Sequence, residues 1–260
     1  MKTEPMTHRV LGVQRLKANP KFFALAADQG TGKTRMLLED IEHQHKTGLI
    51  TAALVIAPKG VHINWVRREV PTHMSVPVQT DFWVSGAGVR RKKRREKLLG
   101  ACDELIIFAM NIDALNTKDG VAYAEKFLHA HNAMMIIDES SRIKSGSAGR
   151  TKAAISLGRM ATSRRIASGT MIAQSPLDVF YQFEFLAPGG KLLGTTSYRS
   201  FVAEFAEVLP TNHPLVRHAA ARSRFGVAPQ IIKTDADTGR PIFRRLEKLQ
   251  QLMSPYTFRV

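Results

Sequence analysis

Ala27-Asp28-Gln29-Gly30-Thr31-Gly32-Lys33-Thr34 follows directly on the apolar run Phe22-Phe23-Ala24-Leu25-Ala26 and leads into a stretch of helical periodicity. A buried strand, a glycine-rich turn and a helix in that order make a phosphate-binding loop. Gly30 and Gly32 permit backbone conformations that a Cβ forbids, so successive N–H groups can point at phosphate oxygens. The helix behind them adds unpaired N–H groups and the positive end of its dipole. Lys33 is placed to reach the β- and γ-phosphates, and the Thr34 hydroxyl to hold Mg²⁺. Thr31 completes the cradle, and Ala27 stands where the usual pattern has its first glycine. The chain therefore reads first as a nucleoside-triphosphate binder.

Working outward, short apolar runs alternate with helical stretches, the pattern of a parallel sheet with crossover helices. Strands are expected near 22–26, 52–57, 80–84, 104–108, 133–137 and 164–168. Helices are expected near 33–47, 60–70, 88–99, 121–131, 148–161, 176–186 and 197–206. The fold class is α/β, with a central, mainly parallel sheet flanked by helices over residues 1–190. A basic helical and hairpin extension follows over 191–260. In that extension Asp235-Ala236-Asp237-Thr238-Gly239-Arg240 signals a turn between Gln230-Ile231-Ile232 and Pro241-Ile242-Phe243.

Bulk composition narrows the partners. With 260 residues and 44% apolar content the chain can bury a large core. The longest apolar run, Ala133-Met134-Met135-Ile136-Ile137, is far too short to cross a bilayer, and no apolar leader is visible at the N-terminus. A single cysteine, Cys102, fits a reducing compartment, so a cytoplasmic setting in a bacterial or phage-infected cell is expected. Thirty-eight Lys and Arg against 22 Asp and Glu give a net charge of +16, which favours a polyanionic partner, nucleic acid before membrane. Arg90-Arg91-Lys92-Lys93-Arg94-Arg95 lies on a predicted helix, where six consecutive cations cannot share one face. Part of that run is solvated whatever else it contacts. Further cations follow at Arg217, Arg222, Arg224, Arg240, Arg244 and Arg245.

A hydrolase of nucleoside triphosphates also needs a carboxylate for the metal and a group that orients the attacking water. Met134-Met135-Ile136-Ile137-Asp138-Glu139-Ser140-Ser141 supplies both at the end of the most apolar strand. In open α/β sheets that edge is where ligands bind. Asp138 is the metal-side candidate, and Glu139, with Lys33, the catalytic one. The His43/His45 and His129/His131 pairs lie on predicted helices, where residues two apart diverge, so they read as surface histidines. Trp65 reads as packing a helix on the sheet, Trp83 as strand core, and Cys102 as structural.

The series Ala27 to Thr34, Val55-Ile56-Ala57-Pro58-Lys59 with Asn64-Trp65, Asp138-Glu139-Ser140-Ser141 with Ile143 and Lys144, then Ser168-Gly169-Thr170 resembles the motif order of superfamily-two helicases. Within them it is similar to the Swi/Snf-type branch, particularly compact phage and bacterial members. The helix Ser175-Pro176-Leu177-Asp178-Val179-Phe180-Tyr181-Gln182-Phe183 matches that branch as well. The resemblance implies a RecA-like lobe that binds ATP and Mg²⁺ and contacts nucleic acid, with double-stranded DNA the expected polymer. It puts Lys33 and Thr34 on phosphate and metal, and Asp138 and Glu139 on metal and water. Pro58 and Lys59 fall near the strand-tracking groove, while Ser168, Gly169 and Thr170 link the nucleotide to the nucleic acid.

Three positions depart from the family. Arg9 falls near the position where a Gln usually reads the adenine edge, since Gln14 lies too close to the loop, and Arg9 is carried as a cofactor-binding candidate. Met171 stands where a Pro is usual, and Gln174 where an Asn is common. The resemblance also implies a second RecA-like lobe that supplies an arginine finger, and Arg217, Arg222 and Arg224 match no finger motif. The chain alone is therefore expected to bind ATP and hydrolyse it poorly, its second lobe lying in a longer protein or a partner chain. Two other readings stay open at this level: another phosphate-loop enzyme, such as a terminase-type ATPase or a kinase, and a non-catalytic basic DNA-binding module.

Overall fold

Seven strands form one parallel sheet in the computed structural model, which describes residues 7–223 and 228–260. Residues 1–6 and 224–227, Arg224 among them, lie outside the described residues. The strands are β1 (Phe22–Ala26), β2 (Ala52–Ala57), β3 (Val78–Phe82), β4 (Leu105–Asn111), β5 (Ala133–Asp138), β6 (Ser163–Ser168) and β7 (Thr257–Arg259). Their order across the sheet is β3-β4-β2-β5-β6-β1-β7, and every pairing is parallel. The helices are α1 (Thr7–Ala18), α2 (Lys33–Lys46), α3 (Val61–Asn64), α4 (Val70–His73), α5 (Val89–Lys97) and α6 (Lys118–Ala130). They continue as α7 (Gly149–Gly158), α8 (Val179–Leu186), α9 (Tyr198–Phe205), α10 (Pro214–Ala221) and α11 (Leu246–Met253). Among the described residues no helix is long and apolar enough to cross a membrane.

The apolar runs are continuous because both faces of the sheet are covered. Leu54, Ile56, Phe108, Met110 and Ile137 point into one core with Phe127, Phe183, Phe201 and Phe205 from α6, α8 and α9. The alternate residues Val55, Ala57, Ile107, Ala109 and Ile136 enter the other with Leu16, Leu37, Leu38 and Trp65. All six residues of β2 are buried, as befits a strand at the centre of the sheet.

Several expected boundaries move. The strand expected at 80–84 lies at Val78–Phe82, which leaves Trp83 just beyond its end, buried under the Arg95 guanidinium 4.2 Å from the ring centroid. The helix expected at 60–70 is α3, a π-helical turn over Trp65–Glu69, and α4. Pro71 is tolerated because it falls in the first turn of α4, where a missing N–H costs little. Neither α1 nor β7 is foreseen from sequence. α1 buries only Gly12, Val13 and Leu16, too sparse a repeat to stand out, and β7 has three residues. A Cβ on Gly12 would lie 2.5 Å from Met36 Sδ and 3.0 Å from the Phe258 ring, so glycine is what lets α1 close on α2 and β7.

Beyond residue 190 the expected turn forms, with Thr234 bridged to Pro241 and Asp235 Oδ1 accepting from Thr238 N and Oγ1, each at 2.8 Å. β7 then returns the chain to the main sheet beside β1. The six-cation run divides on α5. Arg91 and Arg94 reach buried Asp81 on β3 at 3.8 and 3.3 Å, and Arg95 is buried between Trp83 and Tyr123. Arg90, Lys92, Lys93 and Lys97 remain exposed.

α2 is clamped to the sheet by an ion pair with no exposed atoms. Arg165 Nε on β6 donates to Asp40 Oδ2 at 2.8 Å, and both side chains are fully buried. The rest of the network is satisfied: Arg165 also donates to the Pro20 and Arg164 carbonyls, Gln44 donates to Asp40, and Ser163 donates to Gln44. Asp40→Ala, which strands the buried guanidinium, is expected to lower unfolding free energy by about 3–5 kcal/mol in urea titration.

Candidate active site

The phosphate loop has the backbone that its glycines predict. Gly30 and Gly32 have φ of 80° and 88°, and Gly32 caps α2 in the left-handed conformation. No side chain caps the first N–H groups of α2, and an uncapped helix N-terminus suits an anion. Ala27 is 1% exposed, its methyl in the core and its N–H on the Ser168 carbonyl at 3.2 Å. Lys33 Nζ donates to the Ala27 and Asp28 carbonyls at 2.6 and 2.9 Å, and the Thr31 hydroxyl donates to Asp28 at 2.7 Å. The lysine thus rests against carbonyls of its own loop.

β5 ends in Asp138 and Glu139, and the two carboxylates have different surroundings. Asp138 Oδ2 accepts from Trp65 Nε1 at 2.8 Å. Burial holds its carboxyl above the ordinary 3.8, while Trp65 and Lys33 pull it back and Glu139 pushes it up. Glu139 has φ 63° and ψ 63°, a left-handed conformation that costs a non-glycine residue about 1–2 kcal/mol. Such strain persists where the surroundings hold it in place, and it clusters at functional sites. Here the Ser168 hydroxyl at 2.6 Å and the Ser141 hydroxyl at 2.9 Å both donate to Glu139 Oε1. Thr170 N in turn donates to Ser168 Oγ at 3.1 Å, so the third motif holds the second through a short relay.

A second link runs through α8. The Ser140 hydroxyl donates to Gln182 Oε1 at 2.6 Å, and Gln182 Nε2 donates to the Met171 and Asp178 carbonyls. Lys144 Nζ donates to Gln174 Oε1 at 2.7 Å, which gives a role to the glutamine at a position where an asparagine is common. Met171 is 5% exposed and packs into the core.

Arg9, Gly30, Gly32, Lys33, Thr34, Pro58, Asp138 and Glu139 line a single cavity of about 690 Å³, which Val61, Glu69, His73 and Arg142 also wall. That volume lies within the range of nucleotide-sized sites. Lys59 is exposed and outside the lining. Gly169 and Thr170 face a different cavity, of about 510 Å³, with Asp28, Leu249 and Met253. A Cβ on Gly169 would meet only ordinary contacts, the nearest at 3.7 Å, so steric crowding does not require a glycine there. Thr34 and Asp138 offer the cavity two oxygen ligands, which suits Mg²⁺, an ion that keeps several waters and takes other ligands from phosphate.

Sequence reading gave Trp65 a packing role only. It is packed, at 1% exposure, but its indole N–H is also the hydrogen-bond partner of Asp138. The π turn that begins at Trp65 changes the helical phase at that point, a feature frequent at functional sites. The wall residues Glu69 and His73 carried no signal. Gln182 carried one, as a glutamine inside the apolar helix Val179–Leu186.

Residues 15–257 match the SNF2-related domain family. The chain is 27% identical over 242 residues to DNA excision repair protein ERCC-6-like from Bos taurus, covering 90% of this chain and 17% of that protein. In fold it is similar to the Sulfolobus solfataricus SWI2/SNF2 ATPase core in complex with dsDNA, with a TM-score of 0.64 and 22% identity. That likeness covers 100% of this chain and 45% of the Sulfolobus chain. The same Sulfolobus core domain in a second structure gives a TM-score of 0.60 at 20% identity. The chain thus spans less than half the length of these relatives.

Because the folded state raises the Asp138 pKa, its ionisation removes stability as pH rises from the unfolded value through the folded one. Asp138→Asn, free of that titration and still able to accept from Trp65, is expected to melt at higher temperature than the parent at neutral pH without Mg²⁺. The difference should close as pH falls toward about 4, near the ordinary carboxylate value. Matched thermal melts across pH check it.

Proposed function

This chain belongs to the SNF2-related domain family, and we propose that it is the ATP-binding lobe of a DNA-dependent ATPase of the helicase or double-stranded DNA translocase type. One observation carries the reading: Lys33, Thr34, Asp138 and Glu139, drawn from two distant motifs, line one cavity, with Ser168 from a third holding Glu139. The order of the motifs along the chain, within residues 15–257 that match the SNF2-related domain, argues against the kinase and terminase readings.

In this reading the triphosphate lies on the Gly30–Thr34 loop and the N-terminus of α2. Binding moves Lys33 Nζ from the Ala27 and Asp28 carbonyls onto phosphate oxygens, so the cation exchanges two neutral acceptors for anionic ones. Thr34 and Asp138 would hold Mg²⁺, Asp138 directly or through a water, and the ion when bound neutralises charge on the β- and γ-phosphates. Trp65 fixes which Asp138 oxygen faces that position. Glu139 orients the attacking water and accepts its proton. Both serine donors occupy Oε1, and among the described residues Oε2 has no donor, which leaves it for the water.

Pro58 and Lys59 are the proposed nucleic-acid contacts at this edge, and the Ser168–Thr170 relay the coupling element. The relatives support duplex DNA as the polymer, and the net charge of +16 agrees with it. A second RecA-like lobe, in a longer protein or a partner chain, would supply an arginine to the transferring phosphoryl group, a contribution worth orders of magnitude in turnover.

ATP hydrolysis by the purified chain, with and without double-stranded DNA, tests this. We expect nucleotide binding that Lys33→Ala abolishes and Glu139→Gln retains, with slow turnover that Glu139→Gln removes. Salt-sensitive DNA binding without ATP binding would instead identify a non-catalytic basic module, and transfer of phosphate to a small acceptor a kinase.

A further inference from the structure

The cations of α5 divide by helix phase as well as by contact. Arg91 lies over the Phe82 ring at 4.4 Å and reaches Asp81 at 3.8 Å. Arg95 lies over Trp83 at 4.2 Å and Tyr123 at 5.3 Å, and its carbonyl accepts from the Tyr123 hydroxyl at 2.9 Å. These contacts, with buried Leu98 one turn on, fix the rotation of the helix about its axis. Residues three and four apart share a helix face, so Arg90, Lys93 and Lys97 form one stripe turned away from Arg91, Arg95 and Leu98. All three are exposed, and none has a side-chain hydrogen bond or ion pair among the described residues. Glu96, the single acid of the helix, pairs with Lys126 on α6 at 3.9 Å. Like charges at this spacing destabilise a helix, so the stripe is a local cost that the fold itself does not offset.

We propose that the stripe of Arg90, Lys93 and Lys97 is a second contact for duplex nucleic acid, outside the motif loops, that lengthens the footprint of the chain on the polymer. The inference rests on the nucleic-acid reading above. Every pairing in the sheet is parallel, so the end of β3 lies on the same edge as the end of β2, where Pro58 and Lys59 follow. β4 alone separates the two strands, which puts their ends about 10 Å apart. α5 belongs to the crossover from the end of β3 to the start of β4, so it begins beside that edge at Arg90 and runs back from it to Lys97. A duplex that rests on Pro58 and Lys59 and continues past β4 therefore meets α5. From Arg90 to Lys97 the helix rises about 10 Å, a length over which a duplex carries about six charges. A membrane surface would call for apolar side chains beside the cations, and within α5 only Val89 is an exposed apolar residue.

The test is fluorescence-anisotropy titration of the full chain with duplex DNA across a salt series. The parent is compared with R90Q/K93Q/K97Q and with K17Q/K21Q/R159Q, which removes three exposed cations from the opposite edge of the sheet. Each phosphate contact contributes about 0.9 to the slope of log K against log salt concentration. The α5 variant is expected to lose about 2–3 from the magnitude of that slope, and the control variant to keep the parent's. Arg91, Arg94 and Arg95 stay in place, so melting temperature and ATP affinity should match the parent's. R90K/K93R/K97R, which keeps the charge, should keep the slope. Equal losses in the two glutamine variants overturn the proposal, since they report a diffuse field and no site. So does an α5 variant that keeps the parent's slope and loses only its binding to phosphatidylserine vesicles, which would make the stripe a membrane face. A parent chain that binds no duplex at all sinks the nucleic-acid reading, and this inference with it.

Discussion

The parallel register of β1, β6 and β5 is the constraint from which the site follows. Ala26 pairs with Ser168, and Ala167 with Asp138, so the three strands end level. Neighbouring strands lie about 4.8 Å apart, which confines the three loops that follow to roughly 10 Å of one edge. The Ala27 N–H on the Ser168 carbonyl ties the first of these loops to the third. The Ser168 hydroxyl on Glu139 ties the third to the second. A displacement of any one strand end would therefore be felt at all three motifs.

That edge is held in a costly state by the body of the domain. Glu139 sits in a left-handed backbone conformation, and Asp138 keeps a carboxylate in surroundings that disfavour its charge. Compensation comes from elements with no part in the chemistry. Two apolar layers cover both faces of the sheet, and the Asp40–Arg165 pair locks α2, whose N-terminus carries the phosphate loop. Breaking local rules at the site while the core obeys them is how stability and function usually divide a structure.

The positive charge likewise serves two ends. Arg165, Arg91 and Arg95 are used internally, on carboxylates or aromatic rings, where a planar guanidinium packs and pairs in ways that a lysine cannot. The cations left outside, such as Arg90, Lys92, Lys93 and Lys97 on α5, set the field that a polyanion would meet. Counting charge from composition merges these two populations; only packing separates them.

Local sequence determined the α/β class, the parallel sheet, the phosphate loop and the acid pair at the end of β5. Each of these depends on short-range patterns: apolar runs set by two-sided burial, glycines set by positive φ, and acids placed where a strand stops. The chain's own order of motifs was enough to point to its family. Tertiary structure alone decided that Trp65 hydrogen-bonds Asp138 across 73 residues of chain, that Gln182 joins the second and third motifs, and that α1 brings Arg9 against Gly32. It also revealed α1 and β7, whose few buried residues leave no periodic trace. The reason is the same in each case. A hydrogen bond between residues far apart in sequence depends on helix phase, close approach and register together, and no local window of residues contains all three.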